Sequence, residues 1–306
     1  MRHQCISIVA GLVLAGPAPA AVWTVDDDLI DNPKAQFSQI WEAIEVAADG
    51  DEILVSPGTY SNSWDGCSII NPMGKALYIH STDGPDVTVL DGQCNWHGIV
   101  CESGETAATI IEGFAVTNGA SWQCHNGSAF YANQASPIVR NCTFDGALSC
   151  GGGPMVEING SSPRFEACRF LNMGSGINVN SVGFDDPGDP GSEIGSNPIF
   201  SQCRFADNQQ VMNIDFRCAP VLYDSVLCNN GGDFGGCTLC GPWQDGGGNC
   251  FAFSCEDSDG DGQPDKCQSV GDGVHEVPAE FPTSTVRFSR PATAMKSASL
   301  RAPTPW

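Results

Sequence analysis

Four stretches of the chain align without gaps: Pro137-Ile-Val-Arg-Asn-Cys142-Thr-Phe144, Pro163-Arg-Phe-Glu-Ala-Cys168-Arg-Phe170, Pro198-Ile-Phe-Ser-Gln-Cys203-Arg-Phe205 and Pro220-Val-Leu-Tyr-Asp-Ser225-Val-Leu227. A fifth, Thr109 to Val116, fits with Thr109 in the proline slot. Two places after the slot stand Ile111, Val139, Phe165, Phe200 and Leu222. Five places after it stand Phe114, Cys142, Cys168, Cys203 and Ser225, and seven places after it Val116, Phe144, Phe170, Phe205 and Leu227. The last two columns obey strand alternation, with Arg169 and Arg204 pointing outward between them. The first column is out of phase by one residue. A two-residue bend such as Glu166-Ala167 restores the phase, so each unit is predicted to be a short strand, a tight corner and a second short strand.

A third strand precedes each unit. Phe130-Tyr-Ala-Asn133, Val156-Glu-Ile-Asn159, Ile177-Asn-Val-Asn180 and Met212-Asn-Ile-Asp215 share the order apolar, variable, apolar, Asn or Asp, and Ile99-Val-Cys-Glu102 fits loosely. Three strands in each repeat of roughly 20–35 residues make one rung of a parallel β-helix. Rungs stack about 4.8 Å apart, so like residues form ladders through the core. An Asn ladder at the corner after the first strand would satisfy turn amides. An antiparallel sandwich also yields short strands and Gly-rich turns, but it does not explain the same residue recurring at the same slot. Upstream, Phe37, Ile40, Trp41, Ile44 and Ala48 share one helical face, and Gly50 is expected to stop that helix. Laid over the first rung, the helix would cover an open strand edge. Ile53-Leu-Val55, Leu77-Tyr-Ile79 and Val87-Thr-Val-Leu90 are expected to form that rung.

Residues 40 to 230 resemble a known family. Ala43-Ile44, Ala48-Asp49-Gly50-Asp51 and Val55-Ser56-Pro57-Gly58-Thr59-Tyr60 are similar to the opening of pectin-lyase-like right-handed parallel β-helix proteins. Ser81-Thr82-Asp83-Gly84-Pro85, Ile111-Glu112-Gly113-Phe114 and the Ser/Asn-Pro…Cys-x-Phe repeat continue the resemblance. It implies an all-β, three-sheet solenoid with a capping helix. It implies no single activity, since the family holds lyases, glycoside hydrolases, epimerases and adhesins.

Composition narrows the function classes. Thirteen Lys and Arg stand against 36 Asp and Glu, a net charge of −23. Such a surface repels phosphate backbones and argues against a nucleic-acid partner. Arg2, the apolar stretch Ile6 to Ala15 and Ala18-Pro19-Ala20 read as a leader cut after Ala20. That stretch is too short to span a bilayer and no later one approaches the needed length, so an exported chain without a membrane span is expected. Sixteen cysteines, fifteen without Cys5, imply disulfides, and seven fall between Cys218 and Cys267. The inward slot of Cys142, Cys168 and Cys203 suits buried free thiols. Cys237-Thr-Leu-Cys240 has metal-like spacing, for which a disulfide is the better reading in an exported chain. The expected divisions are a leader over 1–20, the coil over 21–236, a Cys-rich segment over 237–270 and a disordered tail over 271–306.

Two segments carry candidate chemistry. In Asp257-Ser-Asp259-Gly-Asp261-Gly262-Gln263-Pro264-Asp265, oxygen ligands alternate and Gly occupies the sixth place. Asp257, Asp259, Asp261 and Asp265 would bind Ca²⁺ by side chain and Gln263 by its carbonyl. Gln268 stands where an EF-hand has its bidentate Glu, and the loop resembles thrombospondin type 3 calcium repeats, where the ion orders the segment. The plain alternative is an acidic turn. The second segment is the longest break in the repeat, Ser181 to Asn197, which carries Asp185, Asp186, Asp189 and Glu193. The family resemblance lays a substrate across the first sheet, whose outward residues would be Tyr131, Glu157, Asn178 and Asn213, with Asp215 at a strand end.

A hydrolase would pair Glu157 with a loop carboxylate such as Asp185 or Asp186. A lyase needs a base such as Arg, Lys or His and a cation, and basic residues in the coil are scarce, with arginines at Arg140, Arg164, Arg169, Arg204 and Arg217. The Asn-x-Asp, Asp-Asp and Gly-His-Gly set of polygalacturonases is missing from adjacent rungs. Trp64, Trp96, Trp122 and Tyr131 would either stack on sugars or cover core edges. Two function classes therefore stand: a non-catalytic surface or extracellular protein whose rigid face binds a glycan or envelope polymer, or a polysaccharide lyase or glycoside hydrolase.

Overall fold

The computed structural model describes residues 19–61, 67–120, 128–146, 150, 153–183, 194–231, 239–252, 254–258, 264 and 274–275. Three sheets of seven, ten and eight strands run its length. One turn of the coil shows how they arise. Val156–Asn159 lies in the first sheet, Arg164–Glu166 in the second and Arg169–Leu171 in the third, and the chain returns to the first sheet at Ile177–Asn180. Each strand pairs in parallel with its counterpart one turn on: Val156 faces Ile177, Phe165 faces Phe200 and Phe170 faces Phe205. A parallel β-helix is the outcome, as the repeat predicts.

The ladders form the core. Ile111, Val139, Phe165, Phe200 and Leu222 occupy one continuous register, and Val116, Phe144, Phe170, Phe205 and Leu227 another. All ten are buried. Phe144 and Phe170 stack at 5.2 Å, Phe170 and Phe205 at 5.0 Å, and Phe165 and Phe200 at 5.0 Å. Rings of the two columns meet edge to face, as Phe165 and Phe170 do at 5.5 Å. These are the two arrangements that a ring quadrupole favours. Cys142, Cys168 and Cys203 are free buried thiols, and the Cys168 and Cys203 sulfurs lie 3.5 and 3.4 Å from the carbonyls of Val139 and Phe165. Burial pushes the Cys168 thiol pKa up. Arg169 and Arg204 sit outward on adjacent strands of the third sheet.

The corner between second and third strands differs from expectation. Glu166 remains paired within its strand, and the turn rests on Ala167 alone, at φ 54°. The same left-handed geometry recurs at Gly113, Asn141, Gln202 and Asp224. One residue in that region reverses the pleat phase. The cost of holding Ala there is offset by its amide, which donates to the Ser201 carbonyl at 2.9 Å.

The N-terminal cap needs three corrections. The helix α1 spans Ile40–Val46 and ends with Ala47 in extended backbone, so Ala48 lies outside it and Gly50 turns the chain later. Its buried face is Ile40, Ala43 and Ile44, which join the main core and cover the coil's end. Ile53 faces Ile79 across a parallel pair, so those two strands belong to successive rungs rather than to one. A strand that sequence reasoning did not foresee, Val22–Val25, pairs beyond Glu52–Val55.

At the other end, Leu239–Cys240, Trp243–Asp245 and Cys250–Ala252 extend all three sheets past residue 236. Cys228–Cys255 ties the following segment over a second apolar cluster of Ala206, Val226, Cys228 and Cys250. A further disulfide joins Cys94 to Cys150, and Cys67, Cys240 and Cys250 are disulfide-bonded as well. The backbone of Val274–His275 pairs antiparallel with Trp243–Asp245.

Candidate functional site

Alternation in the first sheet turns one column outward, and register orders it as Val100, Tyr131, Glu157, Asn178, Asn213 and Cys240. Glu157 is the single carboxylate of this column. Its side chain is not open to solvent: Glu157 is 6% exposed and Tyr131 9%. Asn159 donates to Glu157 Oε1 at 3.1 Å, and Asn180 donates to Asn159 Oδ1 at 2.9 Å. The expected Asn ladder is thus present across these two rungs and runs into the acid. Burial raises the Tyr131 phenol pKa, and the neighbouring Glu157 charge adds to that.

Asp215 has a different task. Its carboxylate accepts from both the hydroxyl and the amide of Ser181. Burial alone would raise its pKa, but these donors and the amides of Arg217 and Phe216 hold it below the usual value. Asp215 therefore fastens the point where the long interruption leaves the coil. Val182 and Ile194 close the base of that loop through two backbone hydrogen bonds of 2.9 and 2.7 Å. Asp185 and Asp186, with Asp189 and Glu193, lie outside the described residues.

The open part of this face is its C-terminal half. Asn178 is half-buried and Asn213 exposed. Beside Asn213, at the end of its strand, Phe216 stands 74% exposed, with the Arg217 guanidinium 4.7 Å from its ring centre. Ile194 is exposed near this corner. An aromatic ring and a guanidinium thus follow this strand in the turn after it, and with the two amides they supply stacking and hydrogen-bonding groups. Sequence reasoning missed Phe216 because it lies after the strand, in a turn with no periodic signal.

It also missed an outward strip on the second sheet. His80 Nε2 lies 2.8 Å from Glu52 Oε1 and its ring stacks on Tyr78 at 4.0 Å. The Tyr78 hydroxyl donates to Glu112 at 3.0 Å, and Arg140 donates to Glu166 at 2.7 Å, with Arg164 3.6 Å from the same carboxylate. The repeat alignment does hold a signal for it: three places after the proline slot stand Glu112, Arg140, Glu166, Ser201 and Tyr223. Each charge here has a partner on the sheet, so the strip serves cross-strand pairing.

Residues 65–250 match the family described as right handed beta helix region. The chain belongs to this family. Solved structures similar to this β-helix include pectate lyase Pel9A, at 18% identity and a TM-score of 0.47 over 75% of this chain and 63% of that one. The β-helix thus spans under two thirds of that lyase's length. The pectin methylesterase of Aspergillus niger is similar at 12% identity and a TM-score of 0.37, over 84% of this chain and 94% of that one. Pectin methylesterase PemA from Erwinia chrysanthemi stands at 10% identity and 0.33, over 71% and 79%. No curated protein sequence matches the chain.

The metal and aromatic candidates divide. Of the residues expected to bind calcium, Asp257 is described and half-buried, whereas Asp259, Asp261, Gln263 and Asp265 lie outside the described residues. Asp26, Asp28 and Asp31 of the β-helix bring carboxylate oxygens within 4.8 Å of one another. Asp26 there already accepts the amides of Asp28, Leu29 and Asn32, a turn-forming role. Trp96 packs against the core, as a structural aromatic does. Trp64 and Trp122 lie outside the described residues, as do residues 1–18 with the expected leader. Among the described residues no helix is long and apolar enough to cross a membrane.

Proposed function

We propose that the protein is an exported β-helix that binds a glycan or cell-envelope polymer along its first sheet and leaves it uncut. The observation that carries this reading is the chemistry of the outward column. Its one acid, Glu157, is buried and bonded to Asn159, while its more open end carries half-buried Asn178 and exposed Asn213, followed along the chain by Phe216 and Arg217. Uncharged amides and an aromatic ring bind sugar hydroxyls and faces. Glycoside hydrolysis needs a carboxylate pair that can reach the scissile bond. A rigid coil holds the column at a fixed spacing of about 4.8 Å, so little ordering cost falls on the protein when a polymer lies along it. Disulfides at Cys94–Cys150 and Cys228–Cys255 accord with an oxidising, extracellular setting.

One observation keeps a hydrolase or lyase as the second reading. A side chain at Gly160 would meet Val182 Cγ2 at 2.2 Å, so the base of the acidic loop packs beside the rung of Glu157. A polysaccharide screen separates the two. Neutral and acidic polymers, with and without calcium, are read for binding by co-sedimentation and for new reducing ends or unsaturated products. The binding reading expects retention without products. Products that vanish in Glu157→Gln would overturn it in favour of catalysis.

We also propose that Asp257, Asp259, Asp261, Asp265 and the Gln263 carbonyl hold a structural Ca²⁺. The alternation of oxygen donors around Gly262 supports it. Calorimetric titration should give one calcium site that Asp259→Asn with Asp261→Asn removes; heat unchanged by that pair would refute it.

A further inference from the structure

The coil engages the chain abruptly at Ala21. Pro19 and Ala20 are exposed, and the first strand starts at Val22. Between them, Ala21 is held at both ends: its carbonyl accepts the Glu52 amide at 2.9 Å, and its nitrogen donates to Asp51 Oδ1 at 2.7 Å. Asp51 is 6% exposed. Its other oxygen accepts Trp23 Nε1 at 2.9 Å and the Ala48 amide at 2.9 Å. One carboxylate thus joins the start of the first strand, an indole of that strand and the chain leaving α1. Carboxylates accept main-chain amides at several turns of the coil, as Asp26, Glu105 and Asp215 do. At Ala21 the carboxylate faces the residue at which the small-residue pattern Ala18-Pro19-Ala20 ends.

We propose that the Ala20–Ala21 bond is the processing site and that the freed Ala21 ammonium docks on Asp51. Water supplies hydroxide to the Ala20 carbonyl carbon and a proton to the Ala21 nitrogen as the amide bond breaks. The resulting acid then passes its proton to the amine, leaving a carboxylate on the departing leader and an ammonium on the coil. In the uncut chain Ala21 gives Asp51 a neutral amide hydrogen bond; in the cut chain the same 2.7 Å contact becomes an ion pair. The carboxylate already strengthens the amide bond, and the ammonium adds the attraction of a second, opposite full charge. Removal of the leader therefore does more than release the protein. It fastens Val22–Val25 over the edge of the strand Glu52–Val55, the open end of the coil. The proposal draws on export but not on glycan binding, and its two parts fail separately.

The full chain is expressed in an exporting bacterial host, and the exported protein is read by N-terminal sequencing and intact mass. Ala21 as first residue is expected; another start, or an uncut chain, overturns the site. The second arm compares protein beginning at Ala21 with the same protein carrying Gly-Ser before it, each as wild type and as Asp51→Asn. The extension should lower Tm by about 2–4 °C in the wild type and make no difference in Asp51→Asn. An extension without effect in the wild type, or with equal effect in both, overturns the docking. If Asp51→Asn does not fold, acetylating the Ala21 amine of the wild type replaces it: a drop of the same size is expected, and none overturns the proposal.

Discussion

Phe170→Ala should be among the most damaging single changes in the coil. Phe170 is 0% exposed. Its ring stacks on Phe144 at 5.2 Å and on Phe205 at 5.0 Å, and it meets Phe165 at 5.5 Å and Phe200 at 5.8 Å edge to face. Truncation deletes all four ring contacts. The walls of the resulting hole cannot close over it, because Phe144 and Phe205 are fixed by backbone pairing to the neighbouring strands. A rigid surround places the cost toward the top of the usual range for this change, about 3–5 kcal/mol. The ring pairs, at about 0.5–1.5 kcal/mol each, are part of that total and are not added to it. Guanidinium unfolding followed by circular dichroism measures the cost. Phe216→Ala is the control: at 74% exposure it should change stability by no more than about 0.5 kcal/mol. A cost for Phe170→Ala below about 1 kcal/mol, or equal to that of Phe216→Ala, would refute the stacked core.

Cys142, Cys168 and Cys203 should resist a thiol reagent in the native protein, even in mild alkali, because burial pushes the Cys142 and Cys168 pKa values well up; they should label fully in denaturant, and rapid native labelling would contradict the ladder. Stability should fall in acid. For Asp26, burial alone would raise the pKa, but the amides of Asn32, Asp28 and Leu29 hold it below 3.8. A depressed folded-state pKa means a contribution that is present above the unfolded value and lost as pH falls through the folded one. Unfolding free energies measured downward from about pH 5 should decline less steeply in Asp26→Asn than in the wild type, and parallel curves would show that this carboxylate does not contribute.

The columns were legible because a coil maps each slot of the repeat onto the same place in every rung. Ile111 to Leu222 and Val116 to Leu227 needed only the alignment. The corner was not legible, since left-handed backbone usually announces itself by Gly or Asn, and here Ala167 and Gln202 share the position with Gly113 and Asn141. Tertiary acceptors, not residue type, hold them. The end of α1 was overrun for a similar reason. The amide of Ala48, which the apolar period assigns to the helix, is captured by Asp51 at 2.9 Å. The strand Val22–Val25 was missed because its partner lies some thirty residues on and its own alternation is short. In the site, register gave the outward order Tyr131, Glu157, Asn178, Asn213. Exposure did not follow from it, because whether an outward side chain meets solvent depends on segments that leave the coil without any period. Glu157 stands out as an acid in the sequence and is buried in the fold, bonded to Asn159.

The claim that the first sheet holds a polymer without cutting it is tested most directly by a crystal structure of the protein with an oligosaccharide from whichever polysaccharide it retains. Sugar rings should run along the stacking direction over Asn178 and Asn213, one of them against Phe216, with every glycosidic bond intact. A cleaved product with its new end at Glu157, or a saccharide seated on another face, would contradict it.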